Sequence, residues 1–434
     1  MAFPTFYFKL VSDKKKMLHM KNTIFSLYLI SLITLFTSCG EQSDCGCNNP
    51  PNLRPITAGE EMIIESVNNF AFDVFERINR AEPDKNLFIS PLSISTALSM
   101  TANGAVGATK EGIKNTLHQD DLSDNEINEA YKTLVDYITS LDPKVTMSLA
   151  NSNWYKEEYH TEDTFRKILL EYYNAEVKAA NFNDPATKDL INGWIEDQTN
   201  GKIKDMIDQI PSNVVMYLIN AIYLKATWQY QFEKDKTDKM DFTLMDGSSI
   251  KTDMMFSDGV KASFTMNENL QFIELPYGNG QFVFTILMPV NPQSLDDLIS
   301  NIDTNIFNDY LESADTSTFK VYLPKFKIEY KITLNEILGQ MGMAQSFGGN
   351  ADFSDLFVEE LDLFISRVLH QSFLEVDEEG TEAAAATVVE IRETSVGPNE
   401  NPSVLLIDRP FAFFIREKHT NTILFSGKLI NPIL

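Results

Sequence analysis

Apolar residues recur every three or four positions at Ile63, Ile64, Val67, Phe70, Val74, Phe75 and Ile78. This is the period of a helix that buries one face. Thr57-x-x-Glu60, just ahead, has the spacing of a capping box. Ser90-Pro91 predicts a second helix start, with Ser as cap and Pro in the first turn, running through Leu98 and Met100 to Gly104. Ser123-x-x-Glu126 opens a third that runs through Tyr137, and further helices are predicted over 161–173 and 188–199. The second half changes character. Segments 272–275, 282–288, 318–326 and 373–376 are rich in β-branched and aromatic residues, as strands are. Segments 411–415 and 423–428 flank Lys418-His419-Thr420-Asn421, which reads as a hairpin. Helices first and strands later, without βαβ alternation, predict an α+β fold with large, mostly antiparallel or mixed sheets.

The N-terminus follows another pattern. Lys14, Lys15, Lys16 and Lys21 precede an apolar run over 24–36 that ends in Thr37-Ser38-Cys39. A basic region, an apolar region and small residues at a cut site describe a secretory signal peptide. The run is short for a membrane span. The small residues before Cys39 resemble the processing site of bacterial lipoproteins, with Cys39 as the lipidated first residue of the mature chain. Met20-Lys21-Asn22 looks like a more natural start than Met1. Segment 40–55, rich in Asn, Pro and Gly, reads as a tether. The expected organisation is a signal peptide over 1–38, an anchor and tether over 39–55, and one domain over 56–434 with no internal repeat. One lipid and a tether would hold a soluble domain at a membrane without spanning it. The expected location is extracytoplasmic: the outer membrane or cell surface of a bacterium, with release to the extracellular space as the alternative.

Composition narrows the chemistry. Hydrophobic residues make up 43% of the 434, enough for a substantial core. With 36 basic against 62 acidic side chains the net charge is −26, which argues against a nucleic-acid partner and is compatible with basic protein partners. The three cysteines, Cys39, Cys45 and Cys47, all precede the domain, so the domain has no thiol nucleophile and no disulfide framework. Cys45 and Cys47 stand too close for an easy disulfide. No Gly-x-Ser-x-Gly, His-Glu-x-x-His or paired-cysteine metal spacing occurs, so neither hydrolase activity nor a cofactor is expected.

The informative stretch is Glu378-Glu379-Gly380-Thr381-Glu382-Ala383-Ala384-Ala385-Ala386-Thr387. Four alanines alone favour helix. The β-branched Thr387, Val388, Val389 and Ile391 that follow do not. Gly397-Pro398-Asn399-Glu400-Asn401-Pro402 then forces an exposed loop, where a protease can cut. Laid out as a strand, one face carries Thr381, Ala383, Ala385, Thr387, Val389 and Ile391, uncharged and small at its leading end. Glu382, Glu390 and Arg392 fall on the other face. Such a strand could enter an existing sheet without burying a charge, with Gly380 supplying backbone freedom at the pivot.

On these residues the chain resembles the serpins. Segment 378–387 matches the hinge of inhibitory serpins, and other motifs agree in order and spacing. They include the Asn86 to Ile94 run, Asn192-Gly193-Trp194, Thr199-Asn200-Gly201-Lys202-Ile203, Asn220 to Lys225 with Trp228, and Leu323-Pro324-Lys325-Phe326-Lys327. Leu338 to Met343, Ala351-Asp352-Phe353-Ser354, Ile365 to His370, Asp408-Arg409-Pro410-Phe411 and Phe425-Ser426-Gly427-Lys428 complete the series. The resemblance implies three β-sheets, about nine helices and an exposed reactive-centre loop over about 378–403. It implies a monomer that inhibits serine, and also cysteine, proteases by a single trapping event. The loop is cut as a substrate and then inserts as a strand in the large sheet. The sixteen residues from Glu379 to Thr394 span roughly 50 Å at about 3.3 Å each, enough to cross such a sheet.

Counting along the usual hinge length puts the cut at Thr394-Ser395, suited to elastase-like or subtilisin-like enzymes. Arg392-Glu393 is the alternative, suited to trypsin-like ones. The stretch from Ser395 to Pro410 is longer than the family's usual one, so the register stays open. His370 and Trp228 match residues near the top of the sheet where the loop first enters; Ser90, Ser93 and Asn220 match residues where strands slide apart. A plain helix cap and ordinary core packing explain these residues equally well. A non-inhibitory serpin, acting as a binding or chaperone module, is the competing function; it usually carries bulky, charged or Pro residues in the hinge, which are absent from the inward face here.

Overall fold

The computed structural model describes residues 53–381 and 403–433. Cys39, the signal segment and most of the tether lie outside these residues, as do Glu382, Ala383, Ala384, Ala385, Ala386, Thr387, Arg392, Glu393, Thr394 and Ser395. Nine α-helices occur among the described residues: α1 (Ala58–Ala81), α2 (Pro91–Ala102), α3 (Gly107–Thr116), α4 (Asp124–Ser140), α5 (Asp163–Tyr172), α6 (Pro185–Gln198), α7 (Leu295–Asn301), α8 (Thr304–Ser313) and α9 (Asn335–Leu338). None is long and apolar enough to cross a membrane.

Local signals start these helices where expected. Thr57 and Glu60 close a reciprocal capping box on α1, and Ser123 and Glu126 close one on α4. The Ser90 hydroxyl caps α2 by accepting from the Ser93 amide, with Pro91 in the first turn. The α6 helix begins three residues earlier than the pattern predicted, because Asp184 caps it and Pro185 fills its first position.

The strands are β1 (Leu87–Ile89), β2 (Val145–Lys156), β3 (Glu176–Ala180), β4 (Met216–Thr227), β5 (Asp238–Thr243), β6 (Ser249–Met266), β7 (Leu270–Pro276), β8 (Phe282–Pro289), β9 (Asp315–Pro324), β10 (Phe326–Thr333), β11 (Leu369–Val376), β12 (Gly380–Thr381), β13 (Ser403–Leu406), β14 (Phe411–Glu417) and β15 (Ile423–Leu429). The three expected sheets resolve here into two hydrogen-bonded ladders. Long β6 pairs with β5 and β9 and, past a register shift between Ser257 and Val260, also with β7. It thereby joins two of the expected sheets into one nine-stranded ladder. The other ladder has the order β10-β11-β12-β4-β2-β3.

The core lies between the ladders and the first helices. Phe72 and Phe75 of α1 pack on Phe414, and Phe88 stacks on Phe425 at 5.1 Å. A Cβ at Gly427 would stand 2.2 Å from the Phe413 ring, so the C-terminal Phe425-Ser426-Gly427-Lys428 motif keeps a glycine for close packing. The middle of the six-stranded ladder is covered on both faces, whereas its edge strand β10 alternates buried and exposed residues. Ile222, Leu224 and Ala226 of β4 join the main core. Ile219 and Ala221 face a second cluster with Trp154 and with Ile191, Trp194 and Ile195 of α6.

Candidate functional site

β11 ends at Val376, and the chain reverses at once. The Asp377 amide donates to the Gly380 carbonyl at 3.0 Å. The Asp377 carboxylate accepts from the amides of Glu379 and Gly380 at 2.9 and 3.2 Å, making a side-chain-braced turn. Burial pushes this carboxyl up from its ordinary value. Gly380 and Thr381 then wedge between β11 and β4: Thr381 pairs with Val376 on one side and Ala226 on the other. Gly380 has φ +158°, and a Cβ there would meet the Ala226 carbonyl oxygen at 2.0 Å and Thr227 Cα at 2.8 Å. Only glycine fits this approach.

The turn is tied down from all sides. The Trp228 amide donates to the Glu379 carbonyl at 2.9 Å and the Phe232 amide to that of Glu378 at 3.0 Å. Trp228 Nε1 donates to the Asp377 carbonyl at 2.9 Å, and its indole stacks on Tyr277 with centroids 4.3 Å apart. The buried Tyr277 hydroxyl lies 2.5 Å from that of Thr381. The Glu378 carboxylate is buried yet receives Lys325 Nζ at 2.7 Å and the Thr237 hydroxyl at 2.9 Å. Burial alone would raise its pKa; these donors outweigh it and hold it below the ordinary carboxylate value. Glu379 pairs with Lys234 at the surface.

β12 is antiparallel to both neighbours, so β4 and β11 are parallel to each other and one strand apart. That is about 9.5 Å, twice the usual spacing. Past Thr381, no backbone hydrogen bond joins β4 to β11 among the described residues. The gap continues as a small void beside Ile222 to Leu224 and Ser372 to Glu375. It then opens into a cavity of about 220 Å³ beside Met216 to Asn220 and Ser366 to His370.

Halfway down this slot sits a buried polar cluster. The Ser90 amide donates to His370 Nε2 at 3.2 Å, and the Ser90 hydroxyl donates to the Leu424 carbonyl at 2.7 Å. The Ser93 hydroxyl donates to Asn220 Oδ1, Asn220 Nδ2 donates to Asn151 Oδ1 at 2.6 Å, and Asn151 Nδ2 donates to the Tyr173 carbonyl at 2.7 Å. Across the slot the Ser372 hydroxyl donates to the Phe88 carbonyl at 2.5 Å. Desolvation lowers the His370 pKa to about 4, so the ring is neutral and can accept.

Trp228 stands beside the turn, bonded to the Asp377 and Glu379 carbonyls. His370 does not stand beside it. It lies six residues down β11 from Val376, about 20 Å away at strand rise, and belongs with Ser90, Ser93 and Asn220. The reason is direction: β11 runs toward the turn, so its first residues are farthest from it. Sequence reasoning missed Tyr277, Asp377, Thr237 and Asn151, which lie on separate elements that only the fold brings together. No cluster of three or more potential metal ligands occurs among the described residues.

Comparison with known proteins agrees with this geometry. The family model described as serpin (serine protease inhibitor) matches residues 65–432. An uncharacterized serpin-like protein of Methanosarcina acetivorans is 33% identical over 93% of this chain and 97% of its own length, and human serpin B11 is 33% identical over 84% and 97%. Among solved structures, the thermophilic serpin tengpin in its native state aligns with a TM-score of 0.78 at 33% identity, covering 88% of this chain and 97% of its own. Human thyroxine-binding globulin, solved with its hormone, aligns with a TM-score of 0.78 at 27% identity over 86% and 100%. A gap one strand wide between β4 and β11, with Gly380 and Thr381 seated at its mouth, thus sits in a chain that belongs to the serpin family.

Proposed function

We propose that the protein is an inhibitor of serine-type, and also cysteine-type, endopeptidases that acts once, by loop cleavage and strand insertion. The observation that carries this reading is the seating of Thr381 between Ala226 and Val376. Extending that antiparallel register sets Ala383 between Leu224 and Leu374, Ala385 between Ile222 and Ser372, and Thr387 between Asn220 and His370. These slot residues face the main core or the buried polar cluster, so the uncharged face of the hinge turns inward. Glu382, Glu390 and Arg392 turn to the opposite face. Ala383 and Ala385 ask the parting strands for little room, and Thr387 arrives with a hydroxyl among polar neighbours.

In the proposed reaction the protease's serine or cysteine side chain attacks the Thr394 carbonyl, Arg392 being the alternative. The peptide bond to Ser395 breaks, its amine takes the nucleophile's proton, and an acyl-enzyme forms. Insertion of the freed strand then carries the ester, or with a cysteine protease the thioester, away before water resolves it. Inserted residues gain backbone hydrogen bonds along the facing edges of β4 and β11, which are not joined to each other past Thr381 among the described residues, and this drives the step.

A purely ligand-binding or chaperone role, of the kind a structure of thyroxine-binding globulin with thyroxine suggests, is disfavoured by the small, uncharged hinge. Incubation with elastase-like, subtilisin-like and trypsin-like proteases tests the proposal. Denaturation-resistant complexes are expected, with release of a peptide beginning at Ser395, or at Glu393 if Arg392 is attacked. Cleavage between Thr387 and Pro402 that leaves thermal stability unchanged would refute it. The proposed site of action is outside the cytoplasm, with Cys39 lipidated; Cys39→Ser is expected to move the protein from the membrane fraction to the soluble one.

A further inference from the structure

The wide lower part of the slot has features that strand insertion leaves unused. Its α2 side presents Ile94, Ala97 and Leu98, flanked by Ser93 and Thr101, together with Phe353 and Leu356. Its β4 wall includes Tyr217, whose ring packs on Phe182 and whose buried hydroxyl has no hydrogen-bond partner among the described residues. Of the unpartnered buried hydroxyls, those of Tyr217, Ser346 and Ser426, only that of Tyr217 belongs to this cavity's lining, where it could donate to a ligand's acceptor. On the opposite rim Arg367 is exposed, and among the described residues no carboxylate pairs with it. Burial raises the Tyr217 pKa while the charge of Arg367 pulls it down, so that charge is felt at the hydroxyl. The remaining ionisable groups of the lining are Asp362, exposed on the rim, and His370.

We infer that this cavity binds a small amphipathic monoanion such as a medium-chain carboxylate, its chain against Ile94, Ala97, Leu98 and Phe353 and its carboxylate at the Tyr217 hydroxyl and Arg367. The volume of about 220 Å³ lies below the range of roughly 300–1,000 Å³ common for drug-sized ligands, which limits the chain length. Asp362 disfavours a second negative charge. The consequence for inhibition rests on the insertion reading above. In the register set by Thr381, Val389 arrives between Leu218 and Val368, which both line this cavity. Ligand and inserted strand therefore exclude one another, and the bound acid diverts the trapping reaction toward simple cleavage.

The test uses the intact full chain without protease. Decanoate is titrated calorimetrically below its micelle concentration, with decanol as the uncharged comparator, against wild type, Arg367→Gln and Tyr217→Phe. One-site saturable binding is expected, weakened at least tenfold by either substitution and for decanol. Arg367 is exposed and Tyr217→Phe removes one oxygen, so both variants should keep the wild-type melting temperature. No saturable binding to wild type, or binding indifferent to both substitutions, overturns the inference. Loop-cleaved protein is titrated in parallel, after its thermal stability has been measured. A stabilised cleaved form that still binds decanoate overturns the competition alone. A cleaved form that is not stabilised overturns the insertion reading and leaves the binding result on the intact chain standing by itself.

Discussion

The Thr381 hydroxyl meets the Tyr277 hydroxyl 2.5 Å away, both buried, at the point where the hinge enters the sheet. One residue of the 378–387 segment is thereby already a sheet residue, and its side chain touches the nine-stranded ladder's side through Tyr277. A guanidinium cannot occupy this place without burying a charge that has no partner. Thr381→Arg is expected to abolish denaturation-resistant complexes, at least tenfold in yield, while the loop is still cut. Full complex yield from this variant would show that Thr381 does not lead the insertion.

Gly380→Ala probes the turn itself. The added carbon would strike the Ala226 carbonyl at 2.0 Å, and alanine disfavours φ +158°. The hinge should lift from the slot, at a cost of about 1–3 kcal/mol to the docked state. Faster limited proteolysis near Thr381, with a lower melting temperature, is the expected result.

Lys325→Met leaves the buried Glu378 carboxylate without its cation. Lys325 is partly exposed, so the loss is set at about 1–2 kcal/mol rather than the larger figure for a fully buried pair. Because Glu378 titrates below its ordinary value when folded, its contribution is present above that ordinary value and disappears as the pH falls beneath it. Denaturant melts of wild type and Glu378→Gln should therefore differ at neutral pH and converge in acid.

His370 governs a higher pH window. Its folded pKa is about 4 against an ordinary value of 6.5. Between these values the unfolded chain binds a proton that the folded ring refuses. Stability should therefore fall as the pH drops from 6.5 toward 4, by up to about 3 kcal/mol. His370→Gln keeps an acceptor for the Ser90 amide and should flatten that part of the pH profile in urea melts.

Asn220→Ala removes the link between Ser93 and Asn151 and strands a donor and an acceptor in a buried place. A loss of about 1–3 kcal/mol is expected in thermal or urea unfolding. A neutral result would show that water replaces the amide without penalty.

Much of this was legible before any coordinates. Capping residues are local, so Thr57, Ser90 and Ser123 announced their helices correctly. Aromatic and β-branched runs announced β7, β8, β14 and β15. The strands β2 and β6 were not read from periodicity. β2 is buried on both faces only over Asn151 to Trp154, where alternation disappears, and its Asn151, Ser152 and Asn153 look like loop residues though all three are buried.

The sequence alone determined that 378–387 has one small, uncharged face, because alternation along a strand needs only the order of residues. It also determined the family, through motifs spread over most of the domain. It could not place His370 away from Trp228, nor bring Tyr277 to Thr381 and Lys325 to Glu378. Those meetings depend on strand direction and register, which are settled by the packing of segments 50 to 150 residues apart and leave no trace in local spacing. The lack, among the described residues, of backbone hydrogen bonds between β4 and β11 past Thr381 is likewise a property of the sheet as a whole, since each edge taken singly is an ordinary strand.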